Sequence, residues 1–302
     1  MAQFLLSKGY VVYGTSRDHR KNSFENLKAL GIYDDVNLMS MSFDNTTQVE
    51  TALDSCFPDE IYNFASQSSV SRSFEFPDET IKSIVGGTHI FLDAILRTNH
   101  DTRFFNPASS EMFGNTPAPA TEMTSLNPRS PYGEAKAEAM KLVIECRQDY
   151  GLFACSAITF NHESPFRPPT FVTRKIVKGA IAISKGEQKY LHLGNLDIIR
   201  DWGWAPEYVD AMWRMMQAEE AEDFVLATGQ SSPLQEFVKV VFEVLGLEWE
   251  EHVVTDNSLL RHADIMESRG DPGKALALLG WKAETNLRQI AMQMIKAGTI
   301  RK

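Results

Sequence analysis

The chain has 302 residues, of which 43% are hydrophobic, 23% charged and 10% aromatic, enough to bury one large core or two joined ones. A formal charge of −10 and a pI near 5.3 argue against a nucleic acid or an anionic membrane as partner, so an anionic small molecule needs a local basic pocket. Three cysteines without metal-ligand spacing, no apolar run of the roughly 20 residues a membrane span needs and no basic leader at the start point to the reducing cytoplasm.

Met1 to Lys8 reads as a helix closed by Gly9 as its C-terminal cap. Val11 to Thr15 reads as a buried strand, followed by a polar loop and a short helix around Phe24 to Leu30. Val36 to Met41 is a second strand, Thr47 to Cys56 a helix, Glu60 to Ala65 a third strand and Pro77 to Arg97 a long helix. Arg103 to Asn106 is a fourth strand that leads directly to Ser109 and Glu111. The next helix starts at Ser130-Pro131, a cap with proline in the first turn, and carries Ala135, Ala139, Leu142, Val143 and Cys146 at helical spacing. Cys155 to Phe160 is a fifth strand. Such alternation predicts an α/β fold, a doubly wound parallel sheet with helices on both faces.

After Phe160 the rhythm changes. Pro165, Pro168 and Pro169 interrupt it, and a helix follows from about Thr173 to Lys185. Later segments are shorter: Tyr190 to Leu193, a helix near Glu207 to Gln217, Phe224 to Ala227, and helices near Leu234 to Leu245 and Leu287 to Ala297. The reading is a nucleotide-binding domain over residues 1–160 and a smaller, mixed α/β substrate lobe over 161–302, partly interleaved with the first. Ligand is expected at the carboxyl ends of the strands, between the two. A dinucleotide fold opens with a strand and a glycine-rich turn that holds the pyrophosphate at a helix start. None of the 18 glycines forms G-x-G-x-x-G or G-x-x-G-x-x-G, so the expected sheet is one without its first strand.

Two clusters carry the chemistry. Tyr132 and Lys136, four residues apart on a helix, share one face. A fixed ammonium beside a phenol stabilises the phenolate and makes Tyr132 a base near neutral pH. Tyr-x-x-x-Lys alone is weak. Here Ser109, Ser110 and Glu111 stand just upstream, after a strand-like run, where such a sheet places its reactive groups.

Longer stretches make the likeness specific: Ala65-Ser-Gln-Ser-Ser-Val70, Ser110-Glu-Met-Phe-Gly114, Pro128-Arg-Ser-Pro-Tyr-Gly133, Asn161-His-Glu-Ser-Pro165, Phe171-Val-Thr-Arg-Lys-Ile176, Leu193-Gly-Asn-Leu-Asp197 and Arg200-Asp-Trp-Gly203. On these residues the chain resembles the GDP-mannose 4,6-dehydratases, a nucleotide-sugar family of the extended short-chain dehydrogenase/reductase group with a Rossmann-like fold. The resemblance covers essentially the whole chain. It implies a hydro-lyase that converts GDP-mannose to GDP-4-dehydro-6-deoxy-mannose and water with NADP as cofactor. Tyr132 would take the C4 hydroxyl proton, Ser109 would hydrogen-bond the C4 oxygen, Lys136 would hold the ribose, and Glu111 would remove the C5 proton and protonate the departing C6 hydroxyl.

The resemblance also implies cofactor contacts at Phe64, Ala65, Ser66, Gln67, Ser68, His162 and Arg167. Arg17, Arg20 and Lys21 follow the strand Val11 to Thr15, the second of the family's sheet, with no acid at the strand end, which favours a 2′-phosphate and hence NADP, though Asp18 lies among them and a solvated basic loop is an equal reading. For GDP-mannose the candidates are Ser69, Asn161, Lys175, Gly194, Arg200 and Arg261, since arginine forks suit diphosphate oxygens. A homo-oligomer, dimer or tetramer, is implied. The chain departs from the family's pattern at Ser42-Phe43, at Glu79 and at Phe166-Arg167-Pro168-Pro169, nearly all on the cofactor side. Two alternatives stay open: a noncatalytic or cofactor-poor protein that binds a nucleotide sugar, and a related nucleotide-sugar 4-reductase or epimerase.

Overall fold

The computed structural model describes residues 1–98, 101–260 and 264–300. In chain order the elements are α1 (Ala2–Ser7), β1 (Val12–Ser16), α2 (Glu25–Ala29), β2 (Val36–Ser40), α3 (Thr46–Cys56), β3 (Glu60–Tyr62), α4 (Val70–Glu75), α5 (Pro77–Ile81), a π-helical turn (Lys82–Gly86), α6 (Gly87–Thr98), β4 (Arg103–Ser109) and β5 (Thr116–Ala120). They continue with α7 (Pro131–Tyr150), β6 (Ala154–Thr159), β7 (Asn161–Glu163), α8 (Val172–Ser184), β8 (Leu191–Leu193), β9 (Ile199–Trp204), α9 (Ala205–Gln217), β10 (Phe224–Leu226), β11 (Ser231–Pro233), α10 (Leu234–Val244), β12 (Val253–Thr255), β13 (Glu267–Gly270), α11 (Gly273–Leu279) and α12 (Leu287–Ile300). No helix among the described residues is long and apolar enough to cross a membrane.

The chain forms two interleaved units. The first comprises Met1–Met112, Ser130–Ile158 and Val209–Asp223. Its strands pair in parallel, Val12 of β1 opposite Val36 of β2 and Ile61 of β3 opposite Phe104 of β4, and β4 lies between β3 and β6. This is the Rossmann-like architecture expected from the alternating pattern. Its main core gathers Val49 and Leu53 from α3, Phe91, Leu92 and Ile95 from α6, and Phe104, Val143 and Ala154. The expected helix from Pro77 to Arg97 is instead α5, a π-helical turn and α6, and α4 precedes it, capped by the Ser69 hydroxyl, which accepts from Arg72 N–H. The segment Val209–Asp223 returns to close this unit. Trp213 Nε1 donates to Tyr10 Oη (3.0 Å), Gln217 Nε2 to Glu60 Oε1 (2.7 Å), and Arg103 Nη1 to the carbonyls of Met216 and Ala218. Asp223 accepts from both Arg147 Nη atoms and from Ser156 N–H.

The sheet of this unit is divided. Among the described residues β1 pairs only with β2, and no ladder joins it to β3. Val11 and Tyr13 are 73% and 44% exposed, which is edge-strand behaviour in a sheet class whose interior strands are buried on both faces. Beneath β1 a small apolar cluster of Leu5, Val12, Ile32 and Val36 packs with Tyr62 and Trp213.

The second unit comprises Phe113–Arg129, Thr159–Tyr208 and Phe224–Lys302. One sheet has the order β11-β9-β13-β5 with β7 also on β9, and β8 pairs with β12. The parallel β7–β9 register sets His162 opposite Gly203. Its core unites α8, α10 and α12 through Ile176, Val177, Phe237, Val241, Ile290 and Met294. Gly203 is required here, because a Cβ would lie 2.2 Å from the buried ring of Tyr208.

Candidate active site

The first unit assembles the two chemical clusters around the carboxyl end of β4. That strand, alternately buried on both faces through Phe104, Phe105, Asn106, Ala108 and Ser109, runs straight into a 3₁₀ turn over Ser110–Met112. The turn brings Glu111 back beside the strand end, and its N–H donates to Ser109 Oγ at 3.3 Å. Ser109 is 8% exposed and Glu111 is partly exposed, so the carboxylate is the more accessible of the two.

α7 packs on β4 and starts as the sequence predicts. Ser130 Oγ accepts from Gly133 N–H at 3.1 Å, and Pro131 occupies the first turn. Tyr132 packs with Ile84 and Val85 of the π-helical turn and with Ala135 and Ala139. One helical turn on, Lys136 is buried and donates from Nζ to the Pro107 carbonyl at 2.7 Å. Its ammonium lies 5.7 Å from the Tyr132 ring centroid. Burial pushes the Lys136 ammonium down to about 8, so it stays mainly cationic at neutral pH. The Pro107 carbonyl is the part of this arrangement that sequence reasoning missed. A backbone acceptor leaves no side-chain signal.

The loop after β3 holds the expected cofactor residues. Phe64 is exposed, with its ring 5.8 Å from that of Phe105. Ala65 N–H donates to Asn63 Oδ1 and Ser66 N–H to the Phe64 carbonyl. Gln67 ties the loop down: Nε2 donates to the Ser69 carbonyl (2.9 Å) and to Thr80 Oγ1 (3.0 Å), and Oε1 accepts from Ser69 N–H. Ser68 is exposed. Ser69, expected at the substrate, caps α4. Arg17 is exposed on the loop after β1, where Lys21 is paired with Asp18 at 3.2 Å.

The remaining candidates belong to the second unit. Asn161 and His162 lie on β7, paired to β9. His162 Nδ1 is 2.9 Å from the Phe160 carbonyl and the ring stacks on Tyr208 at 4.9 Å. Burial, with the Arg167 charge beside it, pushes this imidazole down to about 4, so it is neutral at neutral pH. Arg167 donates to the His162 carbonyl, lies 3.5 Å from Glu163 and covers the Phe171 ring at 4.1 Å. Lys175 Nζ donates to the His192 carbonyl at 2.7 Å. Gly194 leaves no room for a side chain, since a Cβ would sit 2.9 Å from the Leu259 carbonyl oxygen. Arg200 is buried and paired with Asp264 at 3.3 Å. Arg261 lies outside the described residues.

Two buried acids in the quoted motifs carry structural weight that their motifs did not reveal. Glu163 accepts from Thr173 Oγ1 at 2.6 Å. Asp201 accepts from Thr228 N–H and Oγ1, both at 2.9 Å, and burial pushes its carboxyl up to about 6.

The profile of the family described as GDP-mannose 4,6 dehydratase matches residues 1–294. The chain belongs to this family. GDP-mannose 4,6 dehydratase 1 of Arabidopsis thaliana is 40% identical over 98% of this chain and 84% of its own length. GDP-mannose 4,6-dehydratase of Sinorhizobium fredii is 39% identical over 98% of this chain and 92% of its own. Among solved structures, RMD from Pseudomonas aeruginosa complexed with NADPH superposes with a TM-score of 0.81 at 21% identity, covering 92% of this chain and 96% of that one. That likeness is one of fold. Ser109, Glu111, Tyr132 and Lys136 all belong to the first unit.

Proposed function

We propose that this protein is a GDP-mannose 4,6-dehydratase that releases GDP-4-dehydro-6-deoxy-mannose and water. The observation that carries the reading is the grouping of Ser109, Glu111, Tyr132 and Lys136 about the carboxyl end of β4 in a member of this family. A 4-reductase or epimerase needs a tyrosine base but no carboxylate to abstract a proton from C5. Glu111 therefore favours dehydration.

NADP fits the residues at two of its ends. Arg17 stands exposed after β1, where a 2′-phosphate is read, and Lys136 is fixed by the Pro107 carbonyl where a nicotinamide ribose is held. When bound, NADP supplies the hydride acceptor for C4 and the hydride returned to C6. Tyr132 receives the C4 hydroxyl proton, with the Lys136 cation beside it favouring the phenolate. Ser109 donates to the C4 oxygen. Glu111 removes the C5 proton, acidified by the adjacent carbonyl, and delivers a proton to the C6 hydroxyl as it leaves as water. Loop residues Phe64 to Ser68, with His162 and Arg167, are proposed for the cofactor, and Ser69, Asn161, Lys175, Gly194, Arg200 and Arg261 for the GDP-sugar.

A homo-oligomer is proposed with this activity, since Phe74, Phe76 and Ile81 leave apolar rings and side chains exposed around α4 and α5. Three free thiols suit a cytoplasmic enzyme. The second reading, a protein that binds nucleotide sugar without turning it over, is favoured by the departure of Phe166-Arg167-Pro168-Pro169 from the family's pattern. Incubation of the purified protein with GDP-mannose and NADP separates them: the first reading yields the 4-keto-6-deoxy product. Glu111→Gln should reduce dehydration by about 10²- to 10⁴-fold while hydrogen exchange at C4 continues. Full turnover in that variant removes Glu111 from its role.

A further inference from the structure

We infer that Tyr208 is a positioning residue for His162: its ring fixes the imidazole so that Nδ1 donates to the Phe160 carbonyl and Nε2 is left to accept a hydrogen bond from a hydroxyl or amide group of the cofactor. Resting on the contact proposed above between His162 and NADP, the geometry adds which chemistry of the cofactor that contact takes. A carbonyl oxygen only accepts, so the 2.9 Å contact to Phe160 requires the proton on Nδ1. Burial and the Arg167 charge keep the ring neutral at neutral pH, so Nε2 carries a lone pair and no proton. Such a nitrogen has nothing to offer a phosphate oxygen. It binds an O–H or an N–H.

The ring plane is held by three residues of the same unit. Tyr208 stacks on the imidazole at 4.9 Å with an interplanar angle of 22°. Gly203 lies opposite His162 in the β7–β9 register, and its missing side chain is what admits the phenol ring. Trp281 meets Tyr208 edge-on at 5.5 Å and is anchored in turn by Nε1, which donates to the Glu207 carbonyl at 2.9 Å. Tyr208 is fully buried, and its Oη has no hydrogen-bond partner among the described residues. The ring face therefore does the positioning, and the hydroxyl can be removed without loosening the stack.

Heteronuclear NMR of the full chain, labelled at its histidine nitrogens, reads the tautomer at pH 7, with His162→Gln identifying the signal. An NADP titration of the same proteins reads affinity. Wild type should show His162 locked with its proton on Nδ1. Tyr208→Phe should keep both that signal and the NADP affinity. Tyr208→Met fills the slot without a ring; it should average the two ring nitrogens and raise the NADP Kd about tenfold, the worth of about one hydrogen bond. If that variant does not fold, Trp281→Phe, which drops the anchor on the Glu207 carbonyl, should show the same two changes. The proposal is overturned by a wild-type proton on Nε2, by a Tyr208→Met protein in which tautomer or affinity is unchanged, or by a loss in Tyr208→Phe equal to that in Tyr208→Met. Should wild type bind no NADP, the dehydratase reading falls, and the imidazole signals alone decide whether Tyr208 positions His162.

Discussion

Replacing Lys136 by methionine, which keeps the length and removes the charge, tests whether a buried cation stands beside Tyr132. The wild-type ammonium is 4% exposed and titrates at about 8, against 10.5 for an ordinary lysine. The folded protein thus releases this proton earlier than the unfolded chain. Between those values the unfolded state binds more protons, so wild-type stability rises with pH. The contribution is complete above 10.5 and is lost as pH falls through 8. At about 1.36 kcal/mol per pH unit, wild type should gain about 2.5 kcal/mol over Lys136→Met between pH 7 and pH 10. At pH 7 the variant escapes the cost of a buried charge but leaves the Pro107 carbonyl without its donor, a loss of about 1–3 kcal/mol. The two largely cancel, and stability there should change by less than about 2 kcal/mol. Turnover should drop at least about 100-fold, and wild-type activity should decline on the alkaline side near pH 8. Urea titrations of both proteins at pH 7 and 10 measure the difference. A stability gap that does not widen with pH would refute a buried ammonium at this position.

Gly203→Ala should destabilise the second unit by about 1–3 kcal/mol, because its Cβ would lie within 2.6 Å of Tyr208 Cζ and Oη; an unchanged urea midpoint would contradict the packing. Asp201 titrates at about 6 in the fold against 3.8 otherwise, so its contribution is full below 3.8 and lost as pH rises through 6. Relative to Asp201→Asn, wild type should therefore lose about 2.4 kcal/mol between pH 4 and 7.5, which parallel denaturation curves at the two pH values would detect.

The sequence made the first unit's helices and parallel strands readable because buried strands and amphipathic helices leave strong periodic patterns. The start of α7 was legible to the residue, since a serine cap followed by proline has one local meaning. β5 was not: Thr116–Ala120 contains Pro117 and Pro119, which argue against a strand. It is a strand only because it occupies the edge of its sheet, where a missing donor is tolerated. β7 and β13 are short and polar, and their pairing with β9 joins residues distant in the chain. The side chains proposed as reactive are nominated by the sequence because their types and spacing carry chemistry. The Pro107 carbonyl that holds Lys136, and the Thr228 loop that surrounds Asp201, exist only once the chain is folded.

The returning segment Val209–Asp223 bears on how the protein is made. The strand that carries Ser109 and Lys136's acceptor is synthesised long before Trp213, Gln217 and Asp223 complete the unit around it. At a ribosomal pace of roughly 5–20 residues per second, Tyr10, Glu60 and Arg147 wait on the order of 4–40 s for those contacts. A chaperone that shields strands during elongation has its window there, and a ribosome stalled before Asp223 would leave an aggregation-prone product.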